Sequence, residues 1–239
     1  MACLGLPDDQ VHDGVTMASE LAANTLHALQ NVAFDGTARW PEAGAPELWL
    51  YLRRREGRWE LVCKVFDSLA GWKHGPPPGT GRTRPQTESG RGLQVVAGLS
   101  GGRWGHHLTR SRLGGWKVPG KAVWFAQPVA AECVPAGLGH TRLRPCHASR
   151  RLEAMLADRG LGGSLLHAEE AAAGISVLSV RRGLTVWCRS GRISWRTRAG
   201  SYEHRTLTDL EDVVEQIVCL CEELDCGYGA GRTGRDRVR

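Results

Sequence analysis

Between Asp8 and Asn31, apolar and small side chains recur at alternating steps of four and three: Val11, Val15, Ala18, Ala22, Thr25 and Leu29. That spacing draws one narrow stripe down a helix. At about 100° per residue, Glu20, Asn24 and His27 fall together on the opposite side. After a loop marked by Pro41 and Pro46 the period changes to two. LWLYLRRR (48–55) and RWELVCKVF (58–66) read as strands joined by a turn at Glu56-Gly57, with Asp67 leaving the second strand. The following AGWKHGPPPGTGRTRPQTESG has no periodicity. It reads as a loop of about twenty residues, a length that in compact domains goes with function or disorder. Beyond Gly90-Arg91-Gly92, LQVVAGLSG resumes a helical pattern, and RWGHHL (103–108) and KAVWFAQ (121–127) read as strands around a turn at Gly114-Gly115.

The order helix, hairpin, long loop, glycine turn, helix, hairpin predicts an α+β fold, a two-layer α/β sandwich whose mixed sheet carries helices on one face. Proline, glycine and alanine then dominate 128–146, the composition of a linker. Past it, 147–159 has a helical pattern and 174–198 holds two or three strands. LTDLEDVVEQIVCLCEEL (207–224) is a helix started by a Thr208 or Thr206 cap. The expected division is a first domain over 1–127, a linker over 128–146, a small α+β domain over 147–226 and a disordered tail over 227–239.

Composition narrows the classes. With 239 residues, 41% apolar and 23% charged, the chain can bury a core without disulfides, and wholesale disorder is excluded. No apolar run approaches the roughly 18–20 residues that span a bilayer. The opening MACLGLPDDQ lacks the basic and apolar regions of a secretory signal, so a cytoplasmic location and no membrane partner are expected. The net charge of +6 invites a nucleic-acid reading, yet only four of the 31 basic residues are lysine. That bias follows GC-rich codon usage, and outside the tail GRTGRDRVR the charges are not gathered with aromatics. Nucleic acid is therefore not an expected partner. The eight cysteines form no C-x-x-C pair, and C-L-C-E-E-L-D-C has poor zinc spacing, so free thiols are expected.

Three islands carry chemistry. SELAANTLHA (19–28) sets a carboxylate and a carboxamide four residues apart. VFDSLAG (65–71) has an aspartate leaving a strand and a glycine four residues later, and ESGRGLQVV (88–96) has glycines opening a helix. A glycine turn feeding a helix N-terminus offers N–H groups to phosphate. Asparagine and glutamate oxygens suit magnesium and its waters, and a buried aspartate can accept from an exocyclic amine.

Together these islands resemble the GHKL superfamily of histidine kinase-like ATPases, in particular the small bacterial anti-sigma-factor serine/threonine kinases and their actinobacterial relatives. SELAANTLHA is similar to the family's N box, VFDSLAG to its first glycine box, SGRGLQVV to its second and GKAVWFA (120–126) to its closing strand. The loop between Gly71 and Gly90 stands where the family has its ATP lid. The resemblance covers about Val15 to Ala126 and implies a Bergerat-type ATP-binding fold. It implies ATP and magnesium as cofactors, with Glu20 as the general base toward a phosphoryl acceptor and Asn24 as the magnesium ligand. It further implies that Asp67 holds the adenine amino group, that Gly71 lets backbone approach the base, and that Gly90, Arg91, Gly92 and Leu93 border the phosphates. The implied partner is a regulatory protein, a sigma factor or an anti-sigma antagonist, phosphorylated on serine or threonine.

The sequence also departs from the family. Leu69 stands where glycine is usual in the first glycine box, and Ala122 where the closing strand often carries a hydroxyl. Only about eighteen residues precede the N box. A lost edge strand and helix, a second chain replacing them (a homodimer included) and a late start codon all fit that shortness. The competing expectation is an adapter that sequesters a partner and carries a degenerate ATP site.

Overall fold

The computed structural model describes residues 4–34, 45–69, 91–136, 143–170, 174–197 and 199–232. The chain divides into two compact units, Met1–Ala136 and Gly137–Arg239. The boundary falls inside the proline- and glycine-rich stretch.

The first unit runs through helix α1 (Asp8–Phe34), strands β1 (Glu47–Arg55) and β2 (Arg58–Asp67), helix α2 (Arg91–Leu99), and strands β3 (Trp104–Arg110) and β4 (Pro119–Val129). At the β1–β2 turn Glu56 and Gly57 have φ of 52° and 81°. Two consecutive positive φ values give the turn whose twist matches that of paired strands, so register is fixed from Arg55↔Arg58 to Glu47↔Phe66. The sheet order is β1-β2-β4-β3. The α+β class holds, but the expected mixed sheet is corrected, because every neighbouring pair is antiparallel. β2 and β3 do run the same way; β4 lies between them and separates the parallel pair.

Both helices cover one face of this sheet. Met17 and Leu21 of α1 and Val96 of α2 pack on Cys63, Val65, Val123 and Phe125. Each such side chain contributes roughly 1.5–3 kcal/mol by leaving water. The buried arc of α1 is rotated from the expected stripe toward Met17 and Leu21, and Val15 stays 55% exposed. The cause is two-sided packing: α1 meets the sheet and α2 together. Glu20 and Asn24 are consequently half-buried on the α2 flank, while His27 alone of the expected polar trio is exposed.

The other face of the sheet is closed by aromatic and cationic side chains. Trp49 stacks on Phe66 with centroids 5.6 Å apart, and the Arg112 guanidinium lies 4.6 Å from the Trp49 ring centroid. Arg53 sits 5.1 Å over Trp124, and Lys64 Nζ lies 2.9 Å from His107 Nε2. His106 and His107, as neighbours in a strand, take opposite faces.

The second unit contains helix α3 (Pro145–Leu156), a five-stranded antiparallel meander β5 (Leu166–Glu170), β6 (Ile175–Arg181), β7 (Leu184–Arg189), β8 (Arg192–Arg196) and β9 (Tyr202–Thr206), and helix α4 (Leu210–Arg232). The two or three strands read from 174–198 undercount this sheet. The strands that escaped, LHAEE and YEHRT, lie at its edges and are largely exposed, so no apolar alternation marks them. The last helix begins at Leu210, not 207. The Thr206 hydroxyl donates to Asp209 Oδ2 and the Asp209 carbonyl accepts from Val213 N–H, which makes Asp209 the capping residue. Leu152 and Leu156 of α3 and Val213, Ile217 and Cys221 of α4 pack on Leu178, Val186, Ile193 and Trp195. Arg159 and Glu215 form a buried ion pair within this unit.

Burial pushes the thiols of Cys63 and Cys188 up to about 12, so both are protonated at neutral pH. In the native chain a maleimide reagent at pH 7.5 is expected to modify exposed thiols and spare these two, with peptide mapping as the readout. Label on Cys63 at the rate seen in denaturant would contradict this packing. Among the described residues no helix is long and apolar enough to cross a membrane.

Candidate functional site

α1, β2, α2 and β4 converge at one end of the first sheet, and two of the three sequence islands meet there directly. Gly92, in the first turn of α2, faces α1 so closely that a Cβ built on it would lie 2.7 Å from Glu20 Oε2 and 2.9 Å from Asn24 Nδ2. Both contacts are sub-van der Waals, so any side chain at position 92 would drive the carboxylate and carboxamide aside. Asn24 Nδ2 is itself buried with no hydrogen-bond partner among the described residues. A buried amide donor without an acceptor is costly and marks a position where another group belongs.

The residue after Asn24 ties this pair to the second island. Thr25 is 4% exposed and its hydroxyl hydrogen-bonds Asp67, the last residue of β2. Asp67 is 2% exposed. Its Oδ1 accepts from Lys121 Nζ of β4 at 2.6 Å and from the Leu69 amide at 2.9 Å, while Lys121 also donates to the Leu69 carbonyl at 2.6 Å. Burial pushes the Asp67 carboxyl above the ordinary carboxylate range, and the Lys121 ammonium, the Leu69 N–H and Thr25 pull it part of the way back. Strand β4 approaches so tightly that a Cβ on Gly120 would fall 2.1 Å from the Asp67 carbonyl oxygen, which only glycine permits.

Of the residues singled out from sequence, Glu20, Asn24 and Gly92 are brought together, and Asp67 is linked to them through Thr25. Arg91 is exposed at the start of α2, and Leu93 packs into the core beside Val96, so a ligand would meet the Leu93 backbone and not its side chain. Gly71, Gly90 and the lid-like loop lie outside the described residues. Among the described residues no group of three or more His, Cys, Asp or Glu side chains is placed to hold a metal ion; the Glu20–Asn24 pair offers one carboxylate and one amide oxygen.

Sequence reasoning missed Thr25, Gly120 and Lys121. Lys121 did leave a signal, being one of only four lysines and standing at the head of the apolar run AVWFA. It also missed a polar knot in the second unit. There His167 Nε2 lies 2.8 Å from Ser149 Oγ and 2.7 Å from Ser176 Oγ, with His167 Nδ1 3.4 Å from Glu153 Oε2. The Ser–His–Glu order is that of an activated nucleophile. Both serines, however, have no solvent exposure, and Ser149 also donates to the Cys146 carbonyl. No substrate reaches them, and the cluster ties α3 to β5 and β6.

No protein-family model, curated protein or solved structure matches this chain.

Proposed function

We propose that the first unit is an ATP-binding domain of the histidine kinase-like, Bergerat-type class. In this reading it acts as an anti-sigma-factor type regulator that transfers the ATP γ-phosphoryl group to a serine or threonine of a partner protein. The observation that carries the reading is the meeting of Glu20 and Asn24 with Gly92, residues far apart in sequence, where a carboxylate and a carboxamide lie against a helix start that has room for glycine alone. The residues present fit a magnesium–nucleotide pair: the buried Asn24 amide nitrogen has no partner among the described residues and can donate to a phosphate oxygen, and an amide oxygen is a ligand of the kind a hard cation takes. When bound, magnesium would neutralise charge on the β- and γ-phosphates. Asn24 would hold it, the first turn of α2 would present backbone N–H groups to the phosphates, and Glu20 would take the proton of the acceptor hydroxyl.

The second reading, an adapter that sequesters its partner and holds nucleotide weakly, is favoured by Lys121. The carboxylate that would receive the adenine amine is already bound by an ammonium and a backbone amide.

Calorimetry of the full chain with ATP tests the reading. Asn24→Ala is expected to weaken binding in magnesium about tenfold or more, equivalent to roughly 1.4 kcal/mol, and to change binding in excess chelator little. Gly92→Ala should weaken both, with melting temperature nearly unchanged because flexible side-chain ends can move aside. Wild type that takes up no ATP, or an equal loss for Asn24→Ala in both conditions, would remove the nucleotide from this site.

A further inference from the structure

The five-stranded sheet of the second unit carries its apolar core on one face only. Side chains on β6 and β7 alternate in burial, and the pairing register carries the outward positions of β7 across β8 and β9, so they share the opposite face, with Ser194 on it buried. That face gathers Trp187, Arg189, Arg192, Arg196, Tyr202 and His204. Register places Trp187 opposite Ser194, which in turn lies opposite His204. Arg196 is opposite Tyr202, and Arg189 opposite Arg192. Two like charges directly across a hairpin destabilise it unless an anion lies between them. Both arginines, with Ile175, Ser190 and Pro145, line a cleft of about 640 Å³. Among the described residues of the five strands, the acid on this face is Glu170, on edge strand β5. The Arg189 guanidinium is held 5.3 Å over the Trp187 ring, and Tyr202 is 61% exposed.

We propose that this face binds single-stranded RNA, a partner the linear scatter of arginines argued against. Arg189, Arg192 and Arg196 lie on the β7–β8 hairpin, and folding brings their scattered charges into one patch with Trp187 of the same hairpin and Tyr202 of β9. The Arg189–Arg192 cleft takes backbone phosphate, and Trp187 and Tyr202 receive unstacked bases, which a duplex does not offer. His204, with Thr185 beside Trp187, supplies donors and acceptors that a 2′-hydroxyl can meet.

The test is fluorescence anisotropy of the full chain with a labelled twelve-nucleotide single-stranded RNA of mixed sequence. With about three phosphates neutralised, the log–log salt slope is expected near −2, an affinity loss of roughly twentyfold between 50 and 200 mM salt. Arg189→Ala with Arg192→Ala should lower affinity about tenfold or more and flatten the slope by about 1.4. Arg189→Lys with Arg192→Lys should keep the slope. Tyr202→Ala should lower affinity about fivefold or more with the slope unchanged. These side chains are exposed, and thermal melts check that the variants fold. The proposal is overturned if wild type does not bind, if the double alanine variant binds as wild type does, if single-stranded DNA or duplex RNA of the same sequence binds as tightly, or if a phosphopeptide displaces the RNA at equal concentration.

Discussion

Replacing Lys121 with methionine is expected to destabilise the first unit by roughly 3–5 kcal/mol at neutral pH, because it strands the Asp67 carboxylate in the core without its ammonium partner. The two groups are 2.6 Å apart with side chains 6% and 3% exposed, so water cannot take over the pairing. The pH dependence follows from the carboxyl's position. Burial already raises Asp67 above its ordinary value. A raised pKa means that protonation contributes stability fully below the unfolded value of about 3.9, and that this contribution is lost as pH climbs through the folded value. Removing Lys121 takes away the largest opposing influence and raises the carboxyl further. The variant's deficit is therefore greatest at neutral pH and narrows on acidification, where both forms carry a neutral Asp67. Adding Asp67→Asn to Lys121→Met should recover most of the loss at pH 7. Hydrogen-exchange protection of the β2 and β4 amides reads the first unit separately from the second. Protection equal to wild type at pH 7 would show that the ion pair contributes nothing to the core.

Lys121 also shows where sequence reading stops. The hairpin of β1 and β2 was legible because two physical signals agree there, period-two alternation and a turn residue pair suited to positive φ. α1 and α2 were legible as helices, and the expected stripe of α1 was right in part: Thr25 and Leu29 are buried and Ala18 packs on the core, but Val15 is exposed, and packing against two partners adds Met17 and Leu21, which the stripe left out. Periodicity reports one buried face and cannot register a second. The antiparallel order was hidden for a related reason: local patterns fix strands, and which strand slips between β2 and β3 is decided by long-range pairing. In the second unit the edge strands β5 and β9 escaped because polar, exposed strands lack the alternation on which a strand reading depends. Glu20, Asn24, Asp67 and Gly92 were found through motif spacing. Thr25 and Gly120, which hold Asp67 in place, carry no chemistry of their own in the sequence and acquire a role only when β2, β4 and α1 come together.

Glu20→Gln separates the two readings of the first unit. Glutamine keeps the shape that Gly92 accommodates, so ATP binding should remain within a few-fold of wild type. It cannot accept the acceptor hydroxyl's proton, and general-base catalysis of this kind contributes typically 10²–10⁴-fold. In a kinase, then, phosphoryl transfer to a serine-containing partner should collapse by that factor while nucleotide affinity holds. In an adapter, wild type and variant should bind the partner alike and neither should label it. Lys121 bears on the balance between these outcomes, because in either reading an adenine amine would have to share Asp67 with an ammonium already seated on Oδ1. Measuring γ-phosphate transfer and partner binding on the same preparations resolves the case. Wild type that binds a partner and ATP together, yet leaves the partner unlabelled, would exclude the kinase and leave Glu20 as a residue that shapes the Gly92 contact without doing chemistry.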